Sequence, residues 1–370
     1  MRLYDTARQD VVPFEPGPVV SMYTCGITPY DSTHLGHAST FVFYDVLQRR
    51  LIDEGHVVRC VRNVTDVDDP LLAKANELGV HYLDLAAAET ARFDSDMKAL
   101  GQLPCFSEPR ATSAIADIRG FIGILLERGH AYEAGGGVYF DIATFPRFGQ
   151  VSHYSESTML KFAAERGGNL EDPNKRNALD FVLWQPSAEG EPAWESLWGA
   201  GRPGWHIECS ALAFRDLGHT IDLHGGGSDL IFPHHECEAA QSESATGQQF
   251  AKHWLHMPMV RYEGTKMSKS LGNLVFISDL LKDWDPGVIR LAIVGNSYRQ
   301  EYDWSPRLLE SAARRLDVWR GAGVGDGALA EVRAALDDDL DTPKAAAAID
   351  DAATSGKGVS EAAMLLGVRL

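Results

Sequence analysis

Residues 19–66 hold a strand, a helix and a second strand in direct succession, and this succession constrains the fold most. Residues 19–25 are apolar and short, which predicts a buried strand. Residues 33–55 carry apolar side chains at helical spacing, and residues 56–66 read as the second strand. Two strands joined by a single helix lie parallel in one sheet. The sequence therefore predicts an α/β chain with a parallel sheet.

Downstream of this unit the pattern changes several times. Residues 71–100 and 112–129 are predicted to be helical. Residues 132–203 open with a hairpin-like piece and are rich in turn formers, so we interpret them as an insertion into the sheet domain. Residues 218–241 resume that domain with a strand, a glycine-rich turn and a helix, and a helical pattern follows from residue 285 onward.

These changes predict four parts of the chain. A catalytic domain comprises residues 1–115 and 200–255, and an inserted connective domain comprises residues 116–199. Residues 256–300 carry an exposed loop rich in lysine and serine. Residues 301–370 are predicted to form a short helical bundle.

Composition excludes several classes of protein. The 370 residues include 34 Lys and Arg against 52 Asp and Glu, a net charge of −18, which argues against broad binding to a nucleic-acid backbone. Five scattered cysteines are typical of a reduced compartment rather than a disulfide framework. The start lacks the apolar core of a signal peptide, and no run of 18 apolar residues occurs. We expect a cytoplasmic monomer.

A histidine motif lies where the first strand meets the first helix. His34, Gly36 and His37 fall at the carboxyl end of a strand and the N-terminus of a helix, a junction that favours anions. Gly36 lets a base or ribose approach the backbone, and the imidazoles can donate to phosphate oxygens. An isolated motif of this kind is more often a polar helix start at the surface.

A second motif, KMSKS, begins at Lys266. Lys266 and Lys269, with two serines, could clamp a triphosphate and neutralise charge as pyrophosphate leaves. Alone, such a loop is usually just solvated.

The third group could bind a metal. His234 and Glu238 are four residues apart and share one face of a helical turn. With Cys25 and Cys209 they offer two thiolates, an imidazole and a carboxylate, which suit Zn²⁺. Separate buried cysteines are the commoner explanation of such spacing. The other cysteines are interpreted as packing residues: Cys60, Cys105 and Cys237.

Together the two motifs resemble those of class I aminoacyl-tRNA synthetases. The stretches RNVTDVDD, WHIECSA, HGGGSDL and FPHHE are similar to those of cysteinyl-tRNA synthetases and of the related cysteine ligases of the mycothiol pathway. The resemblance to the ligases extends along nearly the whole chain. The resemblance implies a Rossmann-like catalytic domain with an inserted connective domain and a C-terminal helical bundle. It also implies ATP with Mg²⁺ as cosubstrate, and zinc on the third group to hold the thiolate of substrate cysteine. Whether His224 or Glu238 joins the zinc ligands is left open.

The resemblance carries further residues into the site. Contacts to cysteinyl-AMP are implied at Cys25, Gly26, Ile27, Thr28, Thr40, Asn63, Val64, Thr65, Trp205, Gly227, Ser228, Asp229 and Val260. The nucleotide loop adds Met267, Ser268 and Ser270 to its two lysines. From the residues alone, Asp229 can hold an ammonium group or a ribose hydroxyl, and Trp205 is as readily core as pocket wall.

The two similar groups differ in the molecule that accepts cysteine. Only 100 residues follow Ser270, and residues 331–370 hold eight acids against four bases, a poor surface for tRNA phosphates. These observations favour the ligase group over the synthetases, and the resemblance to that group implies ATP-dependent ligation of L-cysteine to the amine of glucosaminyl-inositol, with small-molecule partners and no nucleic acid. The alternatives are a synthetase-like enzyme that charges tRNA, or a cysteine ligase acting on another amine.

Overall fold

The structure is a computed structural model that describes residues 1–31, 33–267 and 271–370. The strands are β1 (Arg2–Asp5), β2 (Asp10–Pro13), β3 (Val19–Ile27), β4 (Val57–Val64), β5 (Ala131–Ala134), β6 (Gly137–Phe140), β7 (Phe181–Pro186), β8 (Gly201–Pro203), β9 (Leu223–Gly227), β10 (Trp254–Met257), β11 (Val260–Tyr262), β12 (Thr265–Lys266) and β13 (Tyr302–Trp304). The helices are α1 (Leu35–Asp53), α2 (Asp69–Leu78), α3 (Tyr82–Ala99), α4 (Ile115–Glu127), α5 (Glu156–Glu165), α6 (Trp205–Leu217), α7 (Glu236–Thr246), α8 (Ile277–Asp283), α9 (Pro286–Val294), α10 (Pro306–Ala322), α11 (Leu329–Asp337), α12 (Thr342–Thr354) and α13 (Ser360–Leu365).

The predicted parallel sheet is confirmed. Four strands lie in the order β10-β9-β3-β4, and every neighbouring pair is parallel. Alternate side chains of β3 enter different cores: Val20 and Met22 lie in one, and Tyr23 and Cys25 in the other. The sheet is therefore buried on both faces, as helical crossover connections require.

Helices cover each face of this sheet. One core contains the apolar side chains of α1 and α9 together with those of the C-terminal helices. The other contains side chains from α4, α6 and α7. The carboxyl ends of β3, β4, β9 and β10 consequently meet along one edge between two helical layers, where ligands of open α/β sheets bind.

The predicted hairpin in the insertion is also observed. Strands β5 and β6 pair antiparallel, and the two residues between them, Gly135 and Gly136, both have positive φ (59° and 81°). A two-residue turn of that kind needs glycine because other side chains are strained there. The hairpin continues into a four-stranded sheet of order β5-β6-β7-β8.

Three details depart from the sequence prediction. The helix expected over residues 71–100 is two helices, because Gly79 ends α2 in a left-handed conformation (φ 66°). The expected glycine-rich turn is wrong, since β9 continues through Gly227. The C-terminal part is not wholly helical, because residues 302–304 form β13, which pairs parallel with β11.

The C-terminal helices are fixed to α1 by a buried ion pair. Arg290 of α9 is 1% exposed and pairs with Asp45 of α1, which is fully buried. The same guanidinium donates to the carbonyl oxygens of Leu366 (2.6 Å) and Leu100 (3.0 Å). Four separate segments therefore meet at one cation.

The division of the chain into the four parts predicted from the sequence stays a prediction.

Among the described residues, none of the helices combines the length and apolar character needed to cross a bilayer.

Candidate functional site

The carboxyl ends of β3 and β4 form one side of the candidate site. The Gly26 N–H donates to Asn63 Oδ1 (2.8 Å), and Asn63 Nδ2 donates to Thr65 Oγ1 (3.0 Å). The Thr65 N–H in turn donates to the carbonyl of Ile27 (2.9 Å), which pairs with Val64. Six predicted contact residues thus adjoin along this edge: Gly26, Ile27, Thr28, Asn63, Val64 and Thr65.

The predicted metal-binding side chains converge. Cys25 at the end of β3, Cys209 on α6, His234 just before α7 and Glu238 on α7 are all buried, and their ligand atoms lie within 4.8 Å of one another. Cys25 Sγ is 3.9 Å from Cys209 Sγ and 3.3 Å from Glu238 Oε1. His234 Nε2 is 3.0 Å from the same Glu238 oxygen. Two thiols, an imidazole and a carboxylate at this separation fit a tetrahedral zinc ion.

A second group of possible ligands overlaps the first. Cys25, His224, His235 and Glu238 also hold their ligand atoms within 4.8 Å of one another, and all four are buried. His224 Nε2 lies 2.9 Å from Glu238 Oε2, while His235 Nε2 lies 3.2 Å from Cys25 Sγ. Glu238 therefore contacts two histidines: its Oε1 lies beside His234 and its Oε2 beside His224.

Sequence reasoning missed His235 and His256. A hydrogen-bonded chain runs from Thr6 Oγ1 to His256 Nδ1 (2.7 Å), from His256 Nε2 to His235 Nδ1 (2.7 Å), and on to Cys25. This chain fixes the orientation of both rings behind the thiol. His235 was visible as the second histidine of FPHHE, but no local signal linked His256 to Thr6, 250 residues away.

Electrostatics keep the four predicted ligands in different charge states. Burial alone would raise the pKa of Cys209, but the hydrogen bond from Cys25 and the charge of His234 bring that pKa to about 6. Burial would lower the pKa of His234, yet Glu238 and Cys209 outweigh it and raise the pKa to about 10. Burial and the Cys209 thiolate raise the pKa of Cys25. Burial also opposes ionisation of Glu238, but His224 and His234 hold its pKa well below the usual range. The group as a whole therefore carries negative charge that attracts a cation.

Trp205 forms a wall beside this cluster. Its ring is partly buried and stacks on His234, with 4.2 Å between ring centroids and 24° between planes. The contact favours the pocket-wall interpretation over plain core.

The histidine motif begins α1. His34 is the residue before the helix, and its Nδ1 accepts a hydrogen bond from the Gly36 N–H (3.1 Å). The rings of His34 and His37 stack 3.8 Å apart, and Thr40 Oγ1 donates to the Gly36 carbonyl (3.2 Å). Four predicted nucleotide contacts therefore lie within the first two turns of the helix.

The glycine run provides space along β9. A Cβ on Gly225 would lie 2.1 Å from Tyr44 Oη, and one on Gly226 would lie 3.0 Å from the His235 ring. A Cβ on Gly227 would lie 2.5 Å from Oδ1 of Asp229. A side chain at Gly225 or Gly226 would therefore crowd Tyr44 or His235, so these two glycines shape the site from within a strand.

The lysine loop is described in part. Lys266 ends β12, and Met267 is 5% exposed, so the predicted exposure is wrong at Met267. Ser268, Lys269 and Ser270 lie outside the described residues. Val260 is buried at the start of β11 and pairs with Tyr302.

Comparison with known proteins identifies the family. Residues 11–314 match the family described as tRNA synthetases class I (C) catalytic domain. A protein of Thermobispora bispora named L-cysteine:1D-myo-inositol 2-amino-2-deoxy-alpha-D-glucopyranoside ligase is 50% identical over 357 residues, covering 95% of this chain and 89% of its own. A protein of the same name from Nakamurella multipartita is 46% identical over 386 residues, and the alignment covers 100% of this chain and 95% of that protein.

Solved structures agree on the fold. Mycobacterium tuberculosis methionyl-tRNA synthetase in complex with methionyl-adenylate aligns with a TM-score of 0.70 over 94% of this chain and 87% of its own, at 16% identity. The chain therefore belongs to the class I tRNA synthetase family of the C type, in the branch that contains the cysteine:aminosugar ligases.

Proposed function

We propose that the protein joins L-cysteine to the amine of glucosaminyl-inositol at the expense of ATP, by way of cysteinyl-AMP. The observation that carries the proposal is 50% identity, over 95% of the chain, to a ligase named for that reaction. The convergence of two thiols, an imidazole and a carboxylate at the sheet edge supports cysteine as the amino acid.

Substrate cysteine would be recognised through its sulfur. Cys25, Cys209, His234 and Glu238 would hold a zinc ion, which when bound supplies a soft Lewis acid that prefers a thiolate to the hydroxyl of serine. An apolar pocket alone separates cysteine from serine poorly, because the two side chains are similar in size. Trp205, stacked on His234, would close one side of the thiol pocket.

The adenylation step would use the first turns of α1. ATP would enter as its magnesium complex, with His34 and His37 donating to phosphate oxygens at the helix N-terminus. The cysteine carboxylate attacks the α-phosphorus, and the bond to pyrophosphate breaks. We propose that Lys266 and Lys269 neutralise the leaving charge. Asp229, beside Gly227, would hold the ammonium group or the ribose.

The transfer step needs no covalent enzyme intermediate. The unprotonated amine of the acceptor attacks the carbonyl carbon of cysteinyl-AMP, the bond to AMP breaks, and the amine nitrogen gives up a proton as the amide forms. The chain contributes positioning and charge stabilisation.

An end-point mass assay with two acceptors and an acceptor-free reaction tests the proposal. Purified protein is given ATP and cysteine with glucosaminyl-inositol, with tRNA, or with neither, and serine replaces cysteine as the matched control. We expect AMP and the cysteinyl amide only with glucosaminyl-inositol and cysteine. Amide formation should depend weakly on salt, since the acceptor carries no phosphates. Charging of tRNA without amide would instead establish the synthetase alternative.

A further inference from the structure

The insertion contacts the candidate site through one arginine. Arg166 Nη1 donates to the carbonyl oxygen of Asp229 (2.6 Å) and also to that of Phe232. Both carbonyls belong to the segment that leaves β9 and leads to His234. One guanidinium of the insertion thus bridges two backbone positions beside Asp229.

The residues around Arg166 explain how its side chain is held. Arg166 caps the end of α5, and Gly167 follows with a φ of 90°, where other side chains are strained. The Gly168 N–H then returns to the Ala163 carbonyl (2.8 Å), and a Cβ on Gly168 would lie 2.8 Å from that same oxygen. Two glycines in succession are therefore required to turn the chain directly after the arginine.

Aromatic packing also stabilises the contact between the insertion and the segment that leads from β9 to His234. The Arg166 guanidinium lies 4.6 Å from the centre of the Phe162 ring. Phe232 is 1% exposed and packs in a small core with Met159 and Ala163 of α5. The arginine and the segment it binds are thus fixed against one helix.

The insertion also holds the far end of the segment. The carboxylate of Glu236 accepts from the backbone N–H groups of Gly149 (2.8 Å), Val151 (3.1 Å) and Ser152 (2.8 Å). With Arg166 at one end and these amides at the other, the insertion spans the stretch from Asp229 to Glu236. That stretch includes His234.

We propose that Arg166 is a positioning residue that sets Asp229 for cysteinyl-AMP, so that the insertion controls the affinity of the amino-acid site. The inference rests on the proposed function for the identity of the adenylate. It gives the loop at residues 165–170 a specific task. Arg166 acts through the backbone of Asp229 and does not contact the reacting atoms.

Cysteine-dependent exchange of pyrophosphate into ATP tests this, because the exchange needs no acceptor. In Arg166→Ala the KM for cysteine should rise about ten- to hundredfold, as expected for losing one or two charge-assisted hydrogen bonds. The exchange rate at saturation should change little, because Asp229 binds ground state and transition state alike. Arg166→Lys retains one cationic donor, so its KM for cysteine should lie between those of the parent protein and Arg166→Ala.

Arg147→Ala is the matched control. Arg147 also belongs to the insertion, pairs with Glu243 of α7 and is 62% exposed in its side chain, but it makes no contact with the Asp229 segment in the described interactions. Its KM should match the parent protein. Metal content should stay at the parental value in all three variants, and the melting temperature of Arg166→Ala should fall by no more than a few degrees, about the cost of the lost hydrogen bonds.

Several results would overturn the assignment of Arg166. An unchanged KM for cysteine in Arg166→Ala would overturn it, as would an equal rise of KM in Arg147→Ala. A loss of bound metal that parallels the loss of activity in Arg166→Ala would also overturn it. If Arg166→Ala does not fold, Arg166→Lys decides the matter: a raised KM for cysteine supports the assignment, and a parental KM overturns it. Absence of exchange in the parent protein would count against the proposed function instead.

Discussion

Gly26 is the position where one methyl group should damage the site most. It lies at the end of β3, next to Cys25 and opposite Asn63 of β4. A Cβ added there would lie 1.7 Å from the Asn63 carbonyl oxygen and 2.8 Å from the carbonyl carbon. Both atoms are backbone, so no side-chain rotation relieves the clash.

The size of the effect follows from these distances. Cβ contacts under 3.0 Å essentially never occur, so the two strands must separate by at least about 1.3 Å. Overpacking of this kind costs about 1–3 kcal/mol of unfolding free energy. Misplacing a binding group by about 1 Å costs about a hundredfold in rate. The hydrogen bond from the Gly26 N–H to Asn63 Oδ1 joins the same two strands.

Gly26→Ala should therefore lower cysteine-dependent pyrophosphate exchange about a hundredfold while the protein still folds. Gly120→Ala is the matched control, because Gly120 is exposed inside α4 and a Cβ there meets nothing within 4 Å. The control should gain about 0.5–1 kcal/mol of stability through helix propensity and keep full activity. Exchange within threefold of the parent in Gly26→Ala, with an unchanged unfolding midpoint, would refute the steric reasoning.

Three further changes have defined outcomes. Cys209→Ala should lose bound zinc and cysteine-dependent exchange together, as measured by elemental analysis and exchange assay; full exchange without metal would contradict the ligand assignment. Burial raises the pKa of Asp68 to about 6, so the folded state holds this proton more tightly than the unfolded chain, and stability falls as pH rises from about 4 to about 6. Asp68→Asn keeps an acceptor for the Asp69 N–H and should raise the unfolding midpoint at pH 7 but not at pH 4; equal effects at both would contradict this. Arg290→Met leaves the buried Asp45 with Arg49 as its remaining cation (2.7 Å) and removes the donor to two carbonyl oxygens, so it should cost about 1–3 kcal/mol in denaturant unfolding; an unchanged unfolding midpoint would show that the pair adds little.

Much of the fold could be predicted because its signals are local. The strand–helix–strand unit follows from apolar spacing within 50 residues, and parallel pairing follows from the connecting helix. The convergence of Cys25 with Cys209 could not follow from spacing, since the two are 184 residues apart. It was predicted by resemblance, and the structure brings the two thiols together.

The parts that sequence reasoning missed depend on packing between distant segments. The role of His256 is visible only once β10 lies beside the N-terminal hairpin that carries Thr6. Gly225 and Gly226 were predicted to form a turn, but they lie in β9, where the missing side chains leave room for Tyr44 and His235 to pack against the strand. A glycine that is needed for space and one that is needed for a positive φ look alike in a sequence.

The meeting of four segments at Arg290 bears on how the chain folds during synthesis. Arg49 of α1 also donates to the Met364 carbonyl (3.3 Å), across 315 residues of sequence. Closing such long loops slows folding, so the apolar face of α1 stays open to water and to other nascent chains until residues 360–366 have been synthesised. The ribosome must release the residues up to Leu366 before the helix that begins at the histidine motif has these neighbours. Trimming the last helix should thus cause aggregation during expression, although that helix contributes none of the proposed site residues.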